Sequence, residues 1–206
     1  MQQQLFAPAA HTLDLPDADI GYYPQFIAEA QQLYHTLLDN IQWRQDTIRL
    51  YGRPQLTPRL SAWYGDAAAT YRYSGLTLKP LAWTPPLLML KNQLETFLAV
   101  PFNSVLLNYY RDGNDSVAWH SDDEPELGRT PLIASLSLGA TRKFSLRSLV
   151  NKSAAPLHLE LAAGSLLVMQ GSTQRYWQHQ IAKTTQPTAG RINLTFRRII
   201  SGREAV

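Results

Sequence analysis

His120 and Asp122 are the first residues in this chain whose types and spacing suggest chemistry. They close the run 102–124, FNSVLLNYYRDGNDSVAWHSDDE, which reads as a strand, a turn at Gly113-Asn114 and a second extended segment. Side chains two apart on an extended backbone point to the same face. His120 therefore projects with Asp122, and Asn108 with Tyr110 on the strand before. An imidazole and a carboxylate on one face supply two of the three ligands of a 2-His-1-carboxylate iron(II) site, which leaves positions open for reactants. The third candidate is His179, in the distant run 175–180, RYWQHQ. A lone His-x-Asp is weak evidence, because histidine and aspartate often fall at that spacing by chance.

The tail 191–198, RINLTFRR, sharpens the reading. Arg191, Asn193, Thr195 and Arg197 share one strand face, with Ile192, Leu194 and Phe196 on the other. Arginine is seldom buried unless paired, and an unpaired buried guanidinium is expensive. Strand rise separates the two arginine Cα atoms by about 20 Å, so their side chains have to lean inward from either end. A small dicarboxylate beside a metal would satisfy both through bidentate pairing. The plainer alternative is an exposed edge strand with a basic face. Beside His120, Asp122 and His179, the dianion is the better reading.

Such residues need elements to hold them. From Pro24 the apolar positions Phe26, Ile27, Ala30, Leu33, Tyr34, Leu37, Leu38 and Ile41 recur at helical spacing. Pro85-Pro86 opens a second helix with Leu87, Leu90, Leu94, Phe97 and Leu98 on its apolar side. Residues 42–50 read as a strand meeting a turn at Tyr51-Gly52, and the stretch to Leu81 as irregular hairpins and loops. Thereafter the pattern predicts strands at 102–110, 116–121, 132–138, 142–147, 156–161, 165–169, 175–180 and 191–199. Glycines punctuate them, as in a double-sheet jelly roll able to hold a metal between its sheets. The expected class is α+β, mainly β: a double-stranded β-helix (jelly roll) core with two buttressing N-terminal helices. One domain is expected over 1–206, with residues 1–19 as a loosely packed arm and 102–199 as the core.

Composition sets the outer limits. With 206 residues, 45% hydrophobic and 17% charged, the chain can bury a substantial core. The absence of cysteine excludes disulfides and thiolate metal sites. The start MQQQLFAPAAHTLDL lacks a basic-then-apolar leader, and no run approaches 18 apolar residues, so a soluble cytoplasmic protein is expected. Net charge is only +3, but 14 of the 19 cations are arginine. Arginine forks suit phosphate and carboxylate; they are compatible with nucleic acid without establishing it.

Together, Asn108-x-Tyr110, His120-x-Asp122-x-Glu124, His179 and Arg191-x-Asn193-x-Thr195-x-Arg197 resemble the AlkB family of 2-oxoglutarate- and iron(II)-dependent nucleic-acid demethylases. The similarity reaches back through 64–76, YGDAAATYRYSGL, covers about residues 43 to 199, and is strongest toward members that repair duplex DNA. One departure is Tyr109, where relatives carry arginine; it is expected to face away from the site. The resemblance implies iron(II) on His120, Asp122 and His179, and 2-oxoglutarate as co-substrate. Arg191 should pair with its distal carboxylate, with Asn193, Tyr110 and Asn108 nearby. Arg197 should lie near the carboxylate that chelates iron, and Thr195 in packing or support.

It further implies oxidative removal of N-alkyl groups from bases such as 1-methyladenine and 3-methylcytosine, with succinate, CO2 and formaldehyde released. Residues 42–84 become the nucleotide-recognition region. There Tyr73 would stack on a flipped base, Tyr71 would hydrogen-bond it, and Glu124 would favour cationic lesions. Two tyrosines at i, i+2 are otherwise plain strand packing, and Glu124 otherwise a solvated loop acid. Leu50, Tyr51 and Gly52 match an apolar-aromatic-Gly tip that enters the stack, flanked by Arg49, Arg53 and Arg59. The plainer reading of that tip is an ordinary hairpin turn. The expected partner is alkylated DNA, in the duplex, with single-stranded DNA or RNA as alternatives, met by a monomer away from any membrane. The competing functions are a 2-oxoglutarate oxygenase acting on RNA, a small molecule or a protein side chain, a non-catalytic nucleic-acid binder, and a structural metal site.

Overall fold

The eight strands expected after residue 102 all form in the computed structural model, which describes residues 11–50, 52–73 and 76–200, excepting the side chains of 49–50, 71–73 and 76–78. In chain order the elements begin with β1 (His11–Thr12), β2 (Asp19–Tyr23), α1 (Ala30–Asn40), β3 (Thr47–Leu50), β4 (Arg53–Leu56) and β5 (Leu60–Gly65). Then come β6 (Tyr71–Tyr73), β7 (Leu76–Leu78), α2 (Pro85–Leu98), β8 (Ser104–Tyr110) and β9 (Val117–His120). The chain continues through β10 (Ile133–Gly139), β11 (Arg142–Ser148), β12 (Leu157–Leu161), β13 (Leu166–Gln170), the single turn α3 (Thr173–Tyr176), β14 (Trp177–Ile181) and β15 (Arg191–Arg197). A major sheet runs β1-β2-β13-β10-β15-β8-β5 and a minor one β12-β11-β14-β9. From β8 to β15 the strands alternate between the two sheets in the jelly-roll manner, except that the hairpin β11–β12 lies wholly in the minor sheet.

Alternation along each strand divides the apolar residues between two cores. On the helix-covered side of the major sheet, Val105, Leu107, Ala134, Leu136, Leu166, Val168, Ile192, Leu194 and Phe196 pack beneath α1 and α2. Between the sheets lie Ile133, Leu167 and Met169 with Phe144, Leu146, Trp177 and Ile181. α2 starts because Thr84 is extended and the two prolines occupy N1 and N2, where no N–H partner is required. It ends at Ala99, which is left-handed (φ 55). Leu87, Leu90 and Leu94 are fully buried, each stabilising by about 1.5–3 kcal/mol relative to exposure. Gly139 ends β10 opposite Arg191 at φ +80, where a Cβ would collide with the Gly190 carbonyl; only glycine permits that close approach.

Three expectations before residue 100 change. The first helix begins at Ala30 rather than near Pro24, because the Ile27 N–H is held by the Gly164 carbonyl (2.9 Å) and residues 24–29 form turns. Part of the expected arm is sheet: β2 opens at Asp19 and pairs with β13, although Ile20 is its one buried residue. The stretch expected to be irregular contains β5, a regular strand paired with β8. Pro58 just before it and its Ser, Ala and Gly content hid it. No described helix is long and apolar enough to cross a membrane.

Candidate metal centre and active site

β9 and β14 lie antiparallel with His120 directly opposite His179, their ring centroids 4.3 Å apart. Register slips between His179 and Ile181, a local irregularity of the kind common beside active sites. β9 ends at His120, and Asp122 follows on the loop. Its carboxylate returns to the same side, so that the ligand atoms of His120, Asp122 and His179 all lie within 4.8 Å of one another. His120 Nδ1 sits 2.8 Å from the Ala118 carbonyl oxygen. In the tautomer that donates there, Nε2 is left as a lone-pair donor. Phe144 stacks on His179 at 5.3 Å.

The surroundings set the charge states a divalent cation needs. Burial pushes His179 down to about 4, against the opposing pull of Asp122, so its ring is neutral near pH 7. Burial would raise the Asp122 carboxyl, but the neighbouring Arg197, His179 and His120 outweigh it and hold it below the usual carboxylate range. Arg197 Nη2 donates to Asp122 Oδ1 at 2.7 Å. The Asp122 N–H donates to Gln174 Oε1 at 2.9 Å, which fixes the loop.

These groups line a chamber of about 880 Å³ between the sheets, shared by Asn108, Tyr110, Glu124, Arg191, Asn193 and Thr195. β15 supplies its floor as the alternation predicts, with Asn193 opposite Asn108 and Arg191 opposite Tyr110 on β8. Arg191 is 1% exposed. Its Nη2 donates to Ser137 Oγ at 2.9 Å, its guanidinium lies 5.3 Å from the Tyr110 ring centroid, and Nε and Nη1 have no partner. Burial lowers its pKa to about 10, so the cation persists near neutrality. Leaving donors unmade in the interior costs about 1–3 kcal/mol each, so these donors suit an anionic acceptor.

The other expected residues divide by what they touch. Asn193 Nδ2 donates to Ser135 Oγ (2.8 Å) and the Leu136 carbonyl (2.9 Å), and Thr195 Oγ1 to Asn193 Oδ1 (3.1 Å). Asn193 thereby braces β15 against β10, and Thr195 steadies Asn193 from within β15. Arg197, expected to converge with Arg191 on one dianion, lines the same chamber and is paired with Asp122 through Nη2, while its buried Nε has no partner. Glu124 borders the chamber with Oε2 buried and unpartnered. Tyr109 faces the helix side as expected, packed near Trp43. Tyr51 and the side chains of Leu50, Tyr71 and Tyr73 lie outside the described residues; Gly52 has φ +77 with open space around it.

Arg59, expected beside the hairpin tip, instead turns into the chamber. Its Nε donates to Asn108 Oδ1 (2.9 Å) and Nη1 to the Ser116 carbonyl (3.2 Å). Sequence reasoning also missed Ser137 and Gln174. No pattern marks either one, since each acts through a partner 50 or more residues away.

The donor set fits both implied groups. Two imidazoles, that of His179 neutral, and an ionised carboxylate suit iron(II) with positions left open, and the under-partnered, buried Arg191 suits a carboxylate. A structural metal site would be closed by a fourth ligand, and no fourth His, Asp or Glu joins the cluster among the described residues.

A family model described as the 2OG-Fe(II) oxygenase superfamily matches residues 19–197. Alpha-ketoglutarate-dependent dioxygenase alkB homolog 3 from Bos taurus is 44% identical over 185 residues, covering 84% of this chain and 63% of that protein. DNA oxidative demethylase ALKBH2 from Homo sapiens is 37% identical over 182 residues, covering 84% and 70%. This chain thus spans a little under two thirds of the alkB homolog 3 relative and more of the ALKBH2 relative. The solved structure of OsALKBH1 superposes with a TM-score of 0.62 at 14% identity, covering 92% of this chain and 100% of that one; it bears on the fold alone.

Proposed function

Because the chain belongs to the 2OG-Fe(II) oxygenase superfamily and, within it, to the AlkB family, we propose that it is an iron(II)- and 2-oxoglutarate-dependent dioxygenase that removes N-alkyl groups from bases in DNA. The observation that carries this reading is the His120–Asp122–His179 cluster sharing one chamber with a buried, under-partnered Arg191. When bound, the metal with 2-oxoglutarate and dioxygen supplies the oxidation: the keto acid becomes succinate and CO2, and one oxygen atom is inserted into a C–H bond of the alkyl group. The hydroxylated N-methyl group then breaks its C–N bond, which releases formaldehyde and restores the base.

The chain's own residues orient these reactants. Arg191 would receive the distal carboxylate of 2-oxoglutarate, and Ser137 holds the guanidinium for it. Arg197 keeps Asp122 ionised and directed at the metal. Glu124 offers an unpaired carboxylate oxygen to the chamber. Since 1-methyladenine and 3-methylcytosine are cationic, a nearby carboxylate favours them over neutral bases.

Duplex DNA is the finer reading, supported by the β3–β4 hairpin. Its ladder closes at Leu50–Arg53, β4 is exposed throughout, and Leu56 is 61% exposed. An isolated two-stranded hairpin is marginal in water, so one that stands out with apolar side chains bared suits a partner. Flipping a base costs a few kcal/mol, and an inserted apolar wedge offsets part of that. Tyr71 and Tyr73 would then hold the flipped base.

The deciding experiment measures succinate formation with methylated and unmethylated oligonucleotides, as single-stranded DNA, duplex DNA and RNA. Lesion-dependent turnover on DNA is expected, highest on the duplex. Turnover that ignores the methyl group would point to a small-molecule or protein substrate, and turnover confined to RNA would reassign the nucleic acid.

A further inference from the structure

The chamber holds a cation that neither the motifs nor the metal cluster accounts for. Arg59 precedes Leu60, and Leu60 pairs with Tyr109, so Arg59 sits at the Tyr110 end of β8. Arg191 flanks Tyr110 from the opposite neighbour, β15. Arg142 approaches the same ring from the minor sheet, 5.8 Å from its centroid. Three guanidinium groups thus surround one phenol.

Their hydrogen bonds to one another's surroundings are all with neutral groups. Arg142 donates to the carbonyls of Asp112, Asp115 and Ala182, Arg191 to the Ser137 hydroxyl, and Arg59 to the Asn108 amide and the Ser116 carbonyl. Asp112 and Asp115 are the carboxylates near Arg142; the Asp115 side chain is bonded to a fourth guanidinium, that of Arg111, so the cations still outnumber them. This end of the chamber therefore carries an excess of positive charge. Arg142 is consumed by three carbonyls, whereas Arg59 and Arg191 both line the chamber wall. By accepting from Arg59, Asn108 Oδ1 also leaves its Nδ2 as a donor.

We propose that Arg59 is a second ligand for the distal carboxylate of the co-substrate, gripping it opposite Arg191 with Asn108 oriented between them. The proposal rests on the assignment of 2-oxoglutarate to this chamber. It moves Arg59 from the nucleic-acid surface to the co-substrate site and makes it a determinant of dianion specificity. It also ties co-substrate binding to the recognition hairpin. The Arg59 N–H donates to the Thr57 carbonyl, which also accepts from Gln45 Nε2, and the Thr57 N–H donates to the Asp46 carbonyl beneath β3 (each 2.8 Å). A grip on Arg59 is therefore a grip on the hairpin's root.

The test compares two keto acids by equilibrium titration on the full chain with manganese(II) in place of iron, so that binding is read without turnover. 2-Oxoglutarate carries the distal carboxylate; 2-oxobutyrate keeps the metal-chelating end and lacks it. Arg59→Ala should weaken 2-oxoglutarate tenfold or more and change 2-oxobutyrate less than twofold, because a charge-assisted contact to one carboxylate is lost. Arg59→Lys should recover part of the 2-oxoglutarate affinity. Retained 2-oxobutyrate binding reports a folded site in each variant. An equal loss for both acids would make Arg59 a structural residue and overturn the proposal, as would unchanged 2-oxoglutarate affinity. Wild-type protein showing no preference for 2-oxoglutarate would instead sink the underlying co-substrate assignment.

Discussion

At the scale of single residues, burial alone keeps His179 neutral, whereas Asp122 needs a partner to stay ionised. Asp122 is buried and yet ionised because Arg197 is 2.7 Å away. Asp122→Ala or His179→Ala is expected to abolish both manganese(II) binding and succinate formation with the far-ultraviolet spectrum retained; near-normal turnover in either would refute the ligand set. His179 takes up its proton only near pH 4 when folded, against about 6.5 when free. Between those values the unfolded chain binds the proton and the folded chain does not. Stability of the metal-free protein should therefore fall as pH drops from about 6.5 to 4, by an amount on the order of a few kcal/mol. Urea unfolding of wild type and His179→Ala across that window checks it, since the variant should show a flatter profile. Arg191→Ala removes a buried charge-assisted contact of about 1.5–3 kcal/mol, so the KM for 2-oxoglutarate should rise roughly tenfold to a hundredfold. An unchanged KM would leave Arg191 a structural cation. Glu124→Ala should slow demethylation of 1-methyladenine more than of neutral adducts. Equal losses across the two lesion types would remove its electrostatic role.

At the scale of elements, what the sequence made legible follows from periodicity. β15 could be read because seven residues alternate without interruption, and its inward set is the one found on the chamber floor. The His120–Asp122 pair was legible through the same two-residue period, even though Asp122 lies just past the strand. β5 was not: it is a six-residue strand that spends small residues on close packing, so its apolar signal is faint. That omission is what misplaced Arg59, because its direction follows from the pairing of β5 with β8. The pairing of Arg197 with Asp122 was not legible for another reason. Same-face spacing gives direction but says nothing of a carboxylate arriving from the loop after β9, and Asp122 does so. The hairpin of β3 and β4 carries the prediction that belongs to this scale. Tyr51→Ala should lower activity on a lesion in duplex DNA several-fold while sparing the same lesion in single-stranded DNA; an unchanged duplex-to-single-strand ratio would reduce the hairpin to an ordinary turn.

At the scale of the whole molecule, two cores share the major sheet. One is an apolar helix-covered layer and the other an inter-sheet layer hollowed by the chamber. The first carries apolar burial, and the second tolerates Arg191, Asn108 and Asn193 because the strands that hold them are anchored from behind. The broad architecture was legible because turn glycines and strand lengths recur from residue 102 onward. The contribution of β1 and β2 was not, since five residues with one buried side chain give little pattern to read. The position of β15 has a consequence for how the protein is made. This last described strand does not add to an edge; it inserts between β10 and β8, which leave the ribosome some 50 to 90 residues earlier. Until it emerges, both of those strands present unpaired edges, and such edges recruit other chains. A nascent chain stalled before Arg191 should therefore hold neither co-substrate nor a closed sheet, and should depend on chaperones until the final strand slots home.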